Sequence, residues 1–173
     1  MIKTKLSVLI IAMFLAISAL AEFSPHEVIP ASKGKQEVYV MDAIIRGGDP
    51  MAVPVSLANI RWARKQDFER VVFDIEGNGI GWESRIPPYF QVGLNPNKGR
   101  LSLDIKGINN RRIVQADIER VLAKSALVKR AYFAPKLQGE LASLELTTKS
   151  TVDVEAFYLL NPPRIVLDLR AKR

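Results

Sequence analysis

Three segments of this chain are written to one pattern: Arg70-Val71-Val72-Phe73-Asp74-Ile75, Arg100-Leu101-Ser102-Leu103-Asp104-Ile105 and Arg164-Ile165-Val166-Leu167-Asp168-Leu169. Side chains on a strand alternate between its two faces. Val71, Phe73 and Ile75 therefore share a face, as do Leu101, Leu103 and Ile105, and Ile165, Leu167 and Leu169. Each arginine and aspartate takes the other face. The pattern predicts half-buried strands with a charged outer face. An arginine and an aspartate four residues apart on one strand are too far for a tight local pair. Cross-strand pairing between neighbours is expected instead, at roughly 0.2–1 kcal/mol for each pair.

The third segment repeats the second in its surroundings as well. Asn95-Pro96 precedes one and Asn161-Pro162 the other, and upstream lie Tyr89-Phe90-Gln91-Val92 and Val152-Asp153-Val154-Glu155-Ala156. Further back, Ala58 to Trp62 matches Leu127 to Tyr132, and Val71 to Ile75 matches Ala142 to Leu146. The spacings are 64 residues (Asp104 to Asp168), 71 (Asp74 to Glu145) and 68 (Ile60 to Val128). Two such copies make a duplicated strand meander rather than a solenoid, which needs more repeats. The predicted class is mainly all-β, a β-sandwich of two related small sheets whose apolar faces bury each other. One short amphipathic helix is expected between the halves, because Val114, Ile118, Val121 and Leu122 recur at helical spacing. Asn109 or Asn110 is placed to cap its start, and Lys124 suits its end.

The N-terminus has the form of an export signal. Lys3 and Lys5 precede an apolar run from Leu6 to Leu20, and Ala19-Leu20-Ala21 offers the small residues of a cleavage site. The run is shorter than the roughly 20 residues a membrane span needs, so cleavage rather than a retained span is expected. With no cysteine in the chain, a lipid-modified N-terminus is excluded. The expected location is the bacterial periplasm. Residues 22–37 carry Pro25 and Pro30 and no apolar period, which predicts a flexible leader. Within residues 38–56, Val38 to Met41 and Val53 to Leu57 flank Arg46-Gly47-Gly48-Asp49-Pro50, as an extra hairpin or edge strands would. Residues 57–173 form the sandwich domain.

Removing residues 1–21 from the 173 leaves 152, enough for one domain. Two of the 25 basic residues go with them, so 23 basic groups face 18 acidic ones, a net of +5. In an exported protein that charge points to anionic wall polymers or acidic partners, not to nucleic acid. Without cysteine, thiolate catalysis and thiolate metal ligation are impossible. The single histidine, His26, rules out a multi-histidine metal site within one chain. Asp74, Asp104 and Asp168 lie beside arginines, which favour the ionised carboxylate and not a general acid. The segment Gly77-Asn78-Gly79-Ile80-Gly81 lacks the Lys-Ser/Thr ending of a phosphate loop. No catalytic residue, metal or cofactor is expected. Binding is the better expectation, with Arg61, Arg70, Arg100, Arg130 and Arg164 as two-pronged donors to carboxylates. Trp82 and Tyr89 would supply an aromatic platform on which sugars stack.

The run of Ile60-Arg61-Trp62, Arg70 to Ile75, Pro88-Tyr89, Arg100 to Ile105 and the closing Asn161-Pro162-Pro163-Arg164-Ile165-Val166-Leu167-Asp168-Leu169 resembles the AMIN domain family. The resemblance spans about residues 57–170. AMIN domains stand at the N-termini of periplasmic cell-wall amidases and in pilus secretins. The resemblance implies a β-sandwich of two related sheets and a role in placing proteins at peptidoglycan. No amidase or secretin domain follows the matching strands here, so a domain that delivers its own catalytic partner is not expected. Two readings result: a non-catalytic peptidoglycan-binding module, and a protein–protein adaptor of an envelope machine such as a secretin, amidase or division complex.

Overall fold

The computed structural model describes residues 27–52, 54–77, 85–134 and 141–172. The predicted signal segment, His26, most of the glycine-rich loop and Trp82 lie outside them. The strands in chain order are β1 (Glu27–Pro30), β2 (Ser32–Lys33), β3 (Ala43–Gly47), β4 (Val55–Arg64), β5 (Glu69–Glu76), β6 (Phe90–Asn95), β7 (Arg100–Lys106) and β8 (Ile108–Arg111). The helix α1 (Gln115–Leu122) follows, and then β9 (Val128–Phe133), β10 (Leu141–Thr148), β11 (Val152–Leu159) and β12 (Arg164–Ala171). They form two six-stranded mixed sheets, ordered β1-β3-β6-β7-β10-β9 (sheet A) and β2-β11-β12-β5-β4-β8 (sheet B). This is the expected β-sandwich with one helix between its halves.

The core follows from the alternation. Val71, Phe73, Ile75, Leu101, Leu103, Ile105, Ile165, Leu167 and Leu169 are all buried in one apolar cluster drawn from both sheets. Each such side chain contributes about 1.5–3 kcal/mol relative to an exposed position. The duplication is also present, in an interleaved form. Hairpin β4–β5 of the first half sits in sheet B beside hairpin β11–β12 of the second, while β6–β7 sits in sheet A beside β9–β10. Exchanging the halves maps β6-β7-β10-β9 of sheet A onto β11-β12-β5-β4 of sheet B.

Pairing corrects the spacing of the repeat. Asp104 faces Ser143 and Asp168 faces Arg70, so Ser143 is the counterpart of Arg70, 73 residues away and not 71. By the same ladders Arg61 corresponds to Tyr132, and Arg130 to Asn59. Arg61 and Arg130 are therefore not equivalent. A slip of two residues leaves every side chain on its own face, so alternation alone cannot detect it.

Three local expectations are overturned. Residues 27–33, assigned to a flexible leader, pair at the edges of both sheets: β1 runs parallel to β3, and β2 parallel to β11. An edge ladder is made by backbone groups, so a polar segment without apolar period can complete it. Residues 38–56 do not form a hairpin either. β3 joins β6 in sheet A, β4 joins β5 in sheet B, and from Val38 to Met41 only Val40 pairs, bridging to Val154. The intervening turn hands the chain from one sheet to the other. Gly48 has φ +84 there, and a Cβ would lie 2.2 Å from the Pro88 carbonyl oxygen, so only glycine fits. Finally, Asn109 and Asn110 belong to β8 and do not cap the helix. The Asp117 carboxylate instead accepts from the Val114 N–H at 3.0 Å.

Two elements close the open sides of the sandwich. The helix packs against β9 and β4, with Ile118 and Leu122 buried. Its Gln115 amide donates to the Ala131 carbonyl at 2.9 Å and accepts from Phe133 N–H at 3.1 Å, capping the outer edge of β9. On the other side, residues 34–41 form a strap along β11. Gly34 N–H donates to Tyr158 at 2.9 Å, and Val40 exchanges both backbone bonds with Val154.

Candidate functional site

The two outer sheet faces carry all the described candidate residues and differ in kind. On each, cross-strand registers line side chains into rungs. Sheet A presents Gln91–Asp104–Ser143, then Gly93–Ser102–Glu145–Tyr132, then Asn95–Arg100–Thr147–Arg130. Sheet B presents the counterparts Glu155–Asp168–Arg70, Phe157–Val166–Val72–Arg61 and Leu159–Arg164–Asp74–Asn59.

The face of sheet B is not the solvated charged surface expected of it. Asp168 is 0% exposed, Glu155 3%, and Phe157 and Val166 are buried beside them. Arg70 holds Asp168 by two hydrogen bonds of 2.7 Å, which shift its guanidinium further toward the charged form. The same guanidinium stacks over Phe68 and Phe157. Glu155 accepts two consecutive strap N–H groups, Gln36 at 2.6 Å and Glu37 at 2.7 Å. The Lys35 ammonium, 3.7 Å from the other Glu155 oxygen, lies over the rings of Tyr39 and Phe68. Apolar outer-face residues and a carboxylate that binds backbone amides explain why the strap lies here. A buried charge that finds its partners is retained, whereas an unpaired one is strongly unfavourable.

Among the described residues, no strap crosses the outer face of sheet A. Its middle rung holds Gly93 and Ser102 where sheet B has Phe157 and Val166, and its apolar residues Ile44 and Val28 stand toward the β1 edge. A Cβ at residue 93 would come within 2.9 Å of Ser102 Oγ, so the glycine permits close packing of that hydroxyl. The polar side chains pair across the strands: Ser143 donates to Asp104, Tyr132 to Glu145, and Arg46 Nε to Gln91 at 3.0 Å.

The five arginines singled out in the sequence thus separate. Arg70 is committed to Asp168, and Arg61 to Asp74 by bonds of 2.8 and 2.5 Å. Arg164 bonds the Pro162 carbonyl at 3.2 Å. Arg100 and Arg130 are exposed and, among the described residues, have no ion pair. They share a rung with Thr147 between them, which sets their strands roughly 10 Å apart. Tyr132 lies close enough to feel both charges. Tyr89 is half-buried, and its backbone bridges Asp49 and Lys106. It is not gathered with these arginines, and Trp82 lies outside the described residues.

Tyr132, Arg46, the strap residues Lys35 and Tyr39 and the strap's anchor Glu155 escaped the sequence reading. Alternation in Ile44-Ile45-Arg46 offers a weak signal for Arg46, since it faces outward if Ile45 faces inward. Nothing local marks Glu155 as the anchor of a segment more than a hundred residues away. Comparison with protein-family models and with curated proteins finds no match to this chain.

Proposed function

We propose that this chain is an exported, non-catalytic module of the periplasm that binds peptidoglycan on the outer face of sheet A. The observation that carries the reading is the pair Arg100 and Arg130, without an ion pair among the described residues, on one rung of a face that no described strap crosses. Guanidinium groups recognise carboxylates by paired hydrogen bonds, and the peptide stems of the wall carry free carboxylates. Tyr132 beside them offers a ring edge for the glycan or peptide backbone. The likeness of the strand motifs to AMIN domains supports the same role.

The test is co-sedimentation of the purified protein with sacculi at physiological salt, where loose charge attraction is screened. Arg100→Ala with Arg130→Ala is expected to lower bound protein by at least about tenfold, the worth of one strong contact. Arg61→Ala, whose guanidinium is engaged by Asp74, is the control and should bind as the parent does. Equal binding by the double variant sinks the proposal. The adaptor reading, in which a partner adds a strand to a sheet edge, draws less support. Gln115 caps the edge of β9 and the strap lies along β11, which leaves the four-residue strands β1 and β8 as the longest edges for a partner among the described residues.

A further inference from the structure

A concave site lies at the foot of the strap, where the ends of sheet B meet the chain leading into β9. It is a groove of about 850 Å³, within the ordinary range for small-ligand sites. Its walls are the strap (Lys35, Glu37, Tyr39), the β4–β5 turn (Arg64 to Glu69), the chain before β9 (Ala126, Leu127) and the outer ends of β11 and β12.

The charges in this groove do not balance once their partners are counted. Its four carboxylates are all engaged. Glu69, buried, accepts from Trp62 Nε1, the Ser125 hydroxyl and Ala126 N–H. Asp153 pairs with Arg170 at 3.2 Å and Glu37 with Lys35 at 3.3 Å, and Asp67 has a partner as well. Of the five cations, Lys35 and Arg170 are taken by those pairs and held against the Tyr39 ring, at 5.3 and 4.1 Å from its centre. Arg64, Lys65 and Lys172 are exposed and have no carboxylate partner among the described residues. Three cations without an ion pair among the described residues thus converge on one concavity from two elements, in a lining whose five cations exceed its four carboxylates by one. Its aromatic-backed wall is kept in shape by the two ion pairs.

We infer that this groove is an anion site distinct from the face of sheet A, and that it takes a phosphate-bearing ligand. A phosphate monoester carries close to two negative charges and three strong acceptor oxygens. Its three oxygens can each meet one of the three cationic side chains, whereas a carboxylate offers only two. The same chemistry is offered by a free phosphate monoester and by the monoester headgroup of phosphatidic acid. Either source leaves the sheet A face free for its own ligand.

The experiment titrates sodium pyrophosphate into the purified protein by calorimetry at physiological salt. In parallel, the protein is co-sedimented with vesicles of phosphatidic acid mixed with phosphatidylcholine, against phosphatidylcholine alone. The variant is Arg64→Ala with Lys65→Ala and Lys172→Ala. All three side chains are exposed, so a thermal melt should confirm an unchanged fold. Pyrophosphate binding that weakens at least about tenfold in this variant, while Arg100→Ala with Arg130→Ala retains it, supports the site with a free phosphate ester as ligand. Vesicle binding with the same dependence on the variants, without pyrophosphate binding, supports it with a lipid headgroup. Binding of neither probe, or equal binding by parent and triple variant, overturns the inference.

Discussion

The outer faces of the two sheets descend from the same repeated pattern and have reached opposite ends. Sheet B has Phe157 and Val166 at its centre, Arg70 opposite Asp168, and a strap laid over them. Sheet A has Gly93 and Ser102 at its centre, Ser143 opposite Asp104, and no such cover from the strap. Arg164 lies next to Asp74, whereas its counterpart Arg100 lies next to Thr147. Acidic and basic residues placed on adjacent strands neutralise one face from within. Moving two of them away leaves cations for an outside partner. A few rung positions thus separate a structural face from a binding face, although every strand involved keeps the same inward pattern.

The comparison can be broken most forcefully at its centre. Phe157→Ala should cost about 3–5 kcal/mol, the usual range for a buried phenylalanine. Gly93→Ala, at the corresponding place on sheet A, should cost no more than about 1 kcal/mol, because only the Ser102 hydroxyl must move. Urea unfolding of the two variants measures both. Near-equal losses would mean that the strap does not bury the sheet B face as described.

The ion pairs come next. Asp168→Ala leaves Arg70 without its carboxylate, and Arg70 keeps only 26% side-chain exposure. A loss of roughly 2–3 kcal/mol is expected, reduced from the fully buried case by that residual solvent contact. Asp104→Ala on sheet A removes only a serine hydroxyl contact and should cost about 1 kcal/mol.

The comparison can also be sharpened by making sheet A resemble sheet B. Thr147→Asp puts a carboxylate between Arg100 and Arg130, as Asp74 stands beside Arg61 and Arg164. Stability should change by no more than about 0.5 kcal/mol, as at an ordinary surface site. Sacculus binding should fall about as far as in the double arginine variant, with no cation removed. Retained binding would show that charge compensation is not what distinguishes the two faces.

The smallest effect concerns two tyrosines, one on each side. Both phenols titrate above the ordinary value of 10, for different reasons. Tyr132 is raised chiefly by its hydrogen bond to Glu145, and Tyr39, within the strap, chiefly by burial. Glu145→Gln should bring Tyr132 back toward 10 in an ultraviolet titration and leave Tyr39 where it is. A raised folded-state pKa means that this stabilisation is present below pH 10 and fades as pH climbs through the raised value. Alkaline denaturation should accordingly be less steep in Glu145→Gln.

What the sequence determined by itself is local. The period-two alternation of Val71, Phe73 and Ile75, of Leu101, Leu103 and Ile105, and of Ile165, Leu167 and Leu169 specified strands, their inward faces and hence a two-sheet sandwich. The spacing of Ile118, Val121 and Leu122 specified the helix, whereas Val114, counted in the same stripe, stands before it as an exposed N-cap. The expectation of cross-strand pairing was correct for Arg70 with Asp168, though not which arginine would meet which aspartate. That choice depends on register, and a slip of two residues changes the partners while preserving the faces. Only the tertiary structure decided that each sheet joins one hairpin from each half. It also decided that residues 27–41 serve as edge and cover, through backbone bonds that any side chains can accompany. The strap's anchor, Glu155, lies far along the chain from Gln36 and Glu37, and the phosphate groove joins a turn, a strap and a strand end. Whether a charged residue is spoken for or available is a property of its neighbours in space, and those neighbours are supplied by folding rather than by the order of the chain.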